Sequence, residues 1–269
     1  MFKILISIIE KLKGMVKMNI IELIENADKL KMIKYYKDKL KNKSYTSSNV
    51  LDYLINYKCL SEETIDYFNV GATNRWIMKD KKWILLNCYV LFCSLNPFSY
   101  EIKVIPNDDF DITTLSKSFI YSARLNYFGN KKVKVRNRNS STLYNINLSD
   151  KVIISENYMD MLSVHEIKKK EKDFTSACLN SNCNINKLTN DIVATDIARE
   201  KTYYIVFSNK ATSISNANKL YESLNELNFN VKNITEDVFG KTFKKYSDCN
   251  HILKEDKKKL QRRIYRFAK

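Results

Sequence analysis

The strongest constraint on the fold lies between residues 151 and 160, where an apolar run ends in a carboxylate. Residues 152–154 are Val-Ile-Ile, Glu156 follows almost at once, and Asp160 comes four residues later. Apolar residues then recur at helical spacing, at positions 161, 162, 164 and 167. This pattern predicts a buried parallel strand followed by a helix. Functional groups of such sheets collect beyond the carboxyl ends of the strands, so Glu156 and Asp160 are predicted to lie close enough to share a hydrated divalent cation.

The same segment resembles the first acidic motif of the Toprim domain, Glu-Gly-x-x-Asp, which occurs in DnaG-type primases, topoisomerases and some nucleases. The resemblance implies that Glu156 is the catalytic carboxylate and that Glu156 and Asp160 bind metal. Asn157 replaces the motif glycine, a change that is tolerable because asparagine accepts a positive φ better than most residues.

Two later segments extend the resemblance, but several acidic positions are changed. Residues 203–220 match a strand that ends in Asp-x-Asp, then a glycine and a helix, yet Ser208 and Lys210 stand at the aspartates and Ser213 at the glycine. Residues 246–253 are similar to the Lys-Asp-x-Asn-Asp segment near the end of these domains. They keep Asp248 and Asn250, with Ser247 for the lysine and His251 for the last aspartate. The expected metal ligands are therefore Glu156, Asp160 and Asp248.

The region before residue 150 resembles the basic subdomain that precedes Toprim in primases. Residues 53–71 follow the order Arg-Gly-Ile/Leu, Ser-x-Glu-Thr-Ile, Phe-x-Leu-Gly, and short matches continue to residue 145. The formal net charge of the whole chain is +16, which favours binding to polyanions. The expected nucleic-acid-binding or nucleotide-binding residues are Arg124, Lys131, Lys132, Lys134, Arg136 and Arg138.

The changed motif weakens the expected metal site. Ser208 offers at most a weak neutral ligand, and Lys210 places an ammonium where a cation should bind. At about 4 Å and an effective dielectric near 20, one such repulsion is on the order of 4 kcal/mol. A single Mg²⁺ or Mn²⁺ is the cofactor expected if the protein is active, held by oxygen ligands.

Three interpretations remain open on the sequence. The first is a primase-related Toprim protein of the phage or plasmid kind, which binds nucleic acid in DNA replication with weak or no primer synthesis. Lys210 would then bridge Glu156 or Asp248 in place of the metal. The second is an active DNA primase that makes RNA primers on single-stranded DNA with one metal. The third is a non-enzymatic interaction protein with an unrelated α/β fold.

Other site chemistries find little support in the sequence. The six cysteines form no Cys-x2-Cys pair, so no zinc-binding domain is expected. The sequence contains no Gly-rich phosphate-binding loop, so no helicase domain is expected in it. Each of the two histidines, His165 and His251, is predicted to lie on a solvated surface. The apolar run near the N-terminus is too short to span a membrane. We therefore expect a cytoplasmic protein whose partners are single-stranded DNA or other nucleic acid, a replicative helicase or a host primase.

The predicted fold class is α/β, a Toprim-like parallel sheet flanked by helices. Four parts are expected: a helical N-terminal segment (1–48), a mixed α/β basic subdomain (49–149), the Toprim-like domain (150–253) and a basic C-terminal helix (254–269). Residues 74–122 are predicted to be β-rich, with a loop or domain boundary over residues 39–48. Strands 152–154 and 205–207 are predicted to be parallel neighbours.

Overall fold

A computed structural model describes residues 29–79, 81–95, 98–106, 142–143, 148–180, 185–194, 198–240 and 245–268. The predicted nucleic-acid-binding residues Arg124, Lys131, Lys132, Lys134, Arg136 and Arg138 lie outside these ranges. So does most of the predicted N-terminal helical segment.

Three helices open the described chain. Helix α1 covers residues 29–41, α2 covers Tyr45–Asp52 and continues into a π-helical turn at Tyr53–Tyr57, and α3 covers Glu62–Tyr67. The hydroxyl of Ser44 accepts a hydrogen bond from the backbone N–H of Ser47, which caps α2. The loop predicted over residues 39–48 is therefore confined to residues 42–44, because serine marks the start of a helix here.

An antiparallel sheet of three strands follows, in the order β1-β2-β3. The strands are β1 (Gly71–Lys79), β2 (Lys82–Leu95) and β3 (Phe98–Val104). Met32, Ile33 and Tyr36 of α1 pack on one face of β2 and β3. A Cβ atom at Gly71 would lie 2.5 Å from the Cβ of Tyr36, so only glycine fits between β1 and α1. The β-rich prediction is confirmed over the described residues 74–104.

The second sheet has five strands in the order β4-β6-β5-β7-β8. Strand β4 (Thr142–Leu143) is antiparallel to β6, whereas β5 (Lys151–Ser155), β6 (Thr175–Cys178), β7 (Thr202–Val206) and β8 (Asn230–Asn233) are parallel to one another. Ile154 of β5 lies opposite Ile205 of β7. The predicted parallel pairing of these two strands is confirmed.

Helices cover both faces of the parallel sheet, which explains the uninterrupted apolar runs in its strands. Ile153 and Tyr204 belong to a core with α4 (Tyr158–Glu166), α8 (Cys249–Glu255) and α9 (Lys257–Phe267), while Val152 and Tyr203 pack with α5 (Ile185–Val193) and α6 (Ala211–Glu226). The short α7 (Thr235–Phe239) follows β8. The first core also includes residues of α2, α3 and β2, so it joins the two sheets.

Two details of the predicted helices are corrected. The basic C-terminal helix begins at Lys257 rather than 254, because the side chain of Asp256 accepts a hydrogen bond from the backbone N–H of Lys259 and caps α9. His165 does not lie on a solvated surface. Its ring stacks on Tyr67 with centroids 4.3 Å apart, and burial is the main reason that its pKa falls to about 4. No helix in the described part of the chain is long and apolar enough to cross a membrane.

Candidate active site

The carboxyl ends of β5 and β7 bring Glu156 next to the turn that precedes α6. Glu156 follows the last residue of β5, and Ser155 is paired with Val206 of β7. One carboxylate oxygen of Glu156 accepts a hydrogen bond from the backbone N–H of Ser208 at 3.3 Å. The other accepts from the hydroxyl of Ser213 at 2.9 Å. Glu156 is thus held by neutral donors of the segment that resembles the Asp-x-Asp motif.

Asp160 lies in the first turn of α4, where its side chain is buried, with 1% exposure. Its Oδ2 accepts hydrogen bonds from Asn157 Nδ2 at 2.7 Å and from the Ser208 hydroxyl at 3.4 Å. Its Oδ1 accepts from the backbone N–H of Asn250 at 3.1 Å. Burial raises the pKa of Asp160 to about 7, and the charge of Asp248 acts in the same direction. Burial therefore favours the protonated form of this carboxyl group.

Asn157 has an extended backbone, with a φ of −131°. Its side-chain oxygen accepts a hydrogen bond from the backbone N–H of Asp160 at 3.0 Å and so caps α4. The positive φ invoked to explain asparagine at the glycine position is not adopted. Asparagine is instead explained by its capping oxygen and by its amide, which donates to Asp160.

The third predicted segment forms the N-terminus of α8 beside Asp160. Asp248 caps this helix, because its Oδ1 accepts a hydrogen bond from the backbone N–H of His251 at 2.8 Å. Its Oδ2 accepts from the hydroxyl of Ser247 at 2.6 Å. The side chain of Asn250 donates to Ser163 Oγ and to the carbonyl oxygen of Lys58, both at 3.0 Å. Asn250 therefore links α8 to α4 and to the π-helical turn.

Lys58 is a site residue that was not singled out from the sequence. It follows the π-helical turn, and burial lowers the pKa of its ammonium, while the charges of Asp248 and Asp160 act in the opposite direction. The signal that could have identified it is its place at the start of the segment that resembles Arg-Gly-Ile/Leu. Cys59, at the glycine of that motif, adopts a φ of 59°, in the left-handed region that favours glycine.

Lys210 does not form the expected bridge to Glu156 or Asp248. It is the N-cap residue of α6, its side chain is exposed, and no ion pair joins it to a carboxylate among the residues that the structure describes. The N-terminus of a helix repels a cation, and Glu156 already accepts two hydrogen bonds. Both facts favour a solvated ammonium.

As arranged, the acidic side chains do not fit a divalent cation. Glu156, Asp160 and Asp248 lie at the same edge of the sheet, but no group of three His, Cys, Asp or Glu side chains within the described ranges is placed to hold a metal ion. Both oxygens of Asp160 are engaged by protein donors. A metal would require those hydrogen bonds to be exchanged for coordination.

Several solved primase structures are similar to this chain in fold. The DnaG primase catalytic domain bound to single-stranded DNA has a TM-score of 0.55 and 11% identity, over 91% of this chain and 79% of that chain. The protein has a fold like that of the DnaG primase catalytic core. The E. coli primase catalytic core gives a TM-score of 0.52 at 11% identity, over 87% of this chain and 77% of that chain. The primase-like fold contradicts the unrelated α/β fold that the third interpretation assumed.

The Aquifex aeolicus primase, with its zinc-binding and RNA polymerase domains, gives a TM-score of 0.55 at 12% identity. The alignment covers 90% of this chain and 60% of that one, so the chain spans less than two thirds of the Aquifex protein's length. No protein-family model and no curated protein matches the sequence. The similarity to primases is therefore found by comparing structures. In the sequence it is limited to short motifs.

Proposed function

We propose that the protein is a primase-related Toprim protein that binds nucleic acid in DNA replication, with weak or no primer synthesis of its own. The observation that carries the proposal is the hydrogen bond from the Ser208 hydroxyl to Asp160. Ser208 stands where the Toprim pattern places an aspartate, and a neutral hydroxyl adds no negative charge to the site. We infer that the segment resembling the Asp-x-Asp motif takes part in a hydrogen-bonded network here instead of a metal site.

The electrostatics of the site support the same proposal. Burial favours the protonated form of Asp160, and the proton competes with a cation for its oxygens. The hydroxyl of Ser213 and the backbone N–H of Ser208 compensate the charge of Glu156. Lys210 adds a positive charge at the entrance. Each of these features lowers the affinity for Mg²⁺ or Mn²⁺.

Nucleic-acid binding is the part of the proposal that does not depend on catalysis. The net charge of +16 and the predicted basic residues between Arg124 and Arg138 favour phosphate contacts. One structure with the same fold is of a DnaG catalytic domain bound to single-stranded DNA. We infer a cytoplasmic protein whose partner is single-stranded DNA, acting beside a replicative helicase or a host primase.

An active DNA primase is the second candidate. The observation that favours it is the convergence of Glu156, Asp160 and Asp248 at one sheet edge, with Lys58 near enough for the two aspartates to act on its pKa. Glu156, Asp160 and Asp248 would hold a divalent ion only if the hydrogen bonds of Asp160 were exchanged for coordination, and the ion would then supply charge compensation for the leaving pyrophosphate. Zinc has no part in either candidate.

A primer-synthesis assay separates the two candidates. The chain is incubated with single-stranded DNA, ribonucleotides and either Mg²⁺ or Mn²⁺, and labelled products are resolved by length. We expect few or no primers. Template-dependent primers that disappear with Glu156→Gln, but not with the exposed control Glu171→Gln, would establish the active primase instead.

A parallel binding titration tests the nucleic-acid partner. Labelled single-stranded DNA is titrated at several salt concentrations, and the logarithm of the binding constant should fall by about 0.7 per phosphate contact for each tenfold rise in salt. The absence of binding even at low salt would overturn the proposed function.

A further inference from the structure

Both tryptophans of the chain lie on the hairpin formed by β1 and β2. The sequence contains two Trp residues, and Trp76 and Trp83 are 58% and 62% exposed. Trp76 is paired with Leu85, and Trp83 with Met78. Directly opposed residues, and residues two apart on one strand, share a face of the sheet. The two indole rings therefore project from the same face as diagonal neighbours.

Near the tip of the hairpin this face lies outside the core that the described residues form, whereas its other end carries Tyr89 and Leu91, which are buried. The opposite face of β2 carries Leu86, Cys88 and Val90, which are buried against α1. Burial of a large apolar side chain favours folding, and an indole that stays mostly in water forgoes much of that gain. Two exposed tryptophans side by side indicate a binding surface.

The charge around the hairpin identifies the kind of partner. Residues 71–95 contain four cations, Arg75, Lys79, Lys81 and Lys82, and one carboxylate, Asp80, for a net charge of +3. Lys81 and Lys82 are exposed and come immediately before Trp83. Flat aromatic rings beside lysines are the combination that binds single-stranded nucleic acid, since bases stack on the rings and phosphates lie near the ammonium groups.

The same face leads from the exposed tryptophans into the core that joins the two sheets, where Tyr89 is buried. Tyr89 lies on the same face of β2 as Trp83, six residues on, which corresponds to about 20 Å of strand. Its ring stacks on Tyr53 at 6.1 Å, and Tyr53 stacks on the half-exposed Tyr57 at 5.1 Å. Lys254 Nζ lies 3.7 Å from the Tyr57 ring centroid. Stacked rings thus connect this buried part of β2 to the half-exposed Tyr57, in the turn that ends in Lys58.

We propose that Trp76 and Trp83 form a stacking platform for single-stranded nucleic acid, from which the strand passes over Tyr57 toward the acidic site. The platform rests on the proposed function, because it specifies how that function engages its polymer. Base stacking on the two rings would contribute binding that does not depend on base sequence, and lysine and arginine side chains would contribute the binding that depends on salt.

Intrinsic fluorescence tests the platform directly, because every tryptophan of the chain lies on it. Addition of oligo(dT) should quench the emission of the unmodified protein. The double change Trp76→Ala with Trp83→Ala should weaken binding by about fivefold for each ring lost, roughly 25-fold together. Because stacking releases no counterions, the salt dependence of the binding constant should keep its slope. By contrast, Lys81→Ala with Lys82→Ala should reduce that slope.

Matched variants keep the test decisive. Trp76→Phe with Trp83→Phe retains two flat rings and should bind nearly as well as the unmodified protein. Tyr35→Ala removes an exposed aromatic ring from α1, on the other side of the sheet, and should leave binding unchanged. Circular dichroism of every variant verifies the fold.

The outcomes also separate the platform from the proposed function. Oligo(dT) binding without quenching, and unaffected by the alanine pair, would overturn the platform alone. If no variant and not even the unmodified protein bound nucleic acid, the proposed function itself would fail. Loss of self-association in the alanine pair, with DNA binding intact, would identify the face as a protein contact and likewise overturn the platform.

Discussion

The hydroxyl of Ser208 donates a hydrogen bond to the carboxyl group of Asp160, 3.4 Å away, across the carboxyl ends of β5 and β7. Both residues are buried. An aspartate at position 208 would place two carboxylates within the same dry space, where like charges cannot both ionise without a cation between them. A serine at this position adds no second charge beside Asp160.

Aspartates at positions 208 and 210 should raise the affinity for a divalent metal ion. The double change Ser208→Asp with Lys210→Asp is expected to raise the affinity for Mn²⁺ by about ten- to a hundredfold, because it adds two carboxylates and removes an ammonium. Calorimetric titration measures this affinity. Lys219→Asp, which changes an exposed lysine farther along α6, is the control and should bind Mn²⁺ no better than the unmodified protein. Equal affinities in all three proteins would contradict the prediction.

The same double variant should be less stable without metal. A second carboxylate beside Asp160 costs on the order of 2–4 kcal/mol when unpaired. Thermal unfolding is therefore expected at a lower temperature in chelator, with recovery in Mn²⁺, whereas the unmodified protein should unfold at nearly the same temperature in both. If the variant unfolded at the same temperature as the unmodified protein, in chelator and in Mn²⁺ alike, the new side chains would have to point away from the site.

Asp160 should make the free energy of unfolding depend on pH. Its pKa rises from 3.8 to about 7 on folding, so the folded state binds more protons than the unfolded state between these values. The stabilisation that Asp160 provides is therefore fully present below pH 4 and is lost as the pH rises to 7. The total loss is on the order of 4 kcal/mol. Asp160→Asn should remove this slope in urea unfolding experiments between pH 4 and 7. Asp191→Asn, in a surface ion pair with Lys187, should retain it.

Titration of His165 should change the free energy of unfolding in the direction opposite to that of Asp160, over nearly the same pH range. Its pKa falls from 6.5 to about 4, chiefly through burial, so the folded state binds fewer protons and stability is lost as the pH falls through this window. His165→Gln should reduce the acid-side loss, while His251→Gln, on the half-exposed surface of α8, should not. Titration of the His165 ring followed by NMR checks the value directly, and a midpoint near 6.5 would contradict it.

Glu166 should contribute more to stability than other carboxylates near it. Its Oε2 accepts hydrogen bonds from Ser61 N at 2.9 Å and from Thr64 Oγ1 at 2.5 Å, and its Oε1 accepts from Lys257 Nζ at 2.5 Å. Glu166→Ala leaves these donors of α3 and α9 without an acceptor, which should cost about 2–3 kcal/mol in urea unfolding. Glu171→Ala, which changes an exposed residue, should cost less than about 0.5 kcal/mol. Equal losses would show that water replaces the carboxylate.

Much of the parallel sheet could be predicted from the sequence because its strands are buried on both faces. The apolar residues of both strands are consecutive, at 152–154 and 205–207. Glu156 lies two positions after the first of these runs. The position of Asp248 was predicted from motif order, and the structure places it beside Asp160. Local patterns suffice where one residue's environment is set by its own strand or helix.

The rest depends on contacts between distant segments. Lys58 is held near the site because Asn250 of α8 donates a hydrogen bond to the carbonyl oxygen of Lys58, 192 positions away in the sequence. No periodicity of the sequence encodes such a contact. His165 is half-buried because Tyr67 packs on it from α3. The solvated position of Lys210 follows from hydrogen bonds that already satisfy Glu156. Charge and spacing alone could not distinguish it from an ion pair.

The contact between Gly71 and Tyr36 sets a limit on how this protein can vary. A Cβ at position 71 would also lie 2.9 Å from the backbone carbon of Tyr36, so the obstacle is main chain, which cannot rotate aside as a side chain can. Even alanine would have to push α1 away from the sheet. In a survey of random substitutions, position 71 should therefore reject every alternative residue, including those that its strand conformation would otherwise accept.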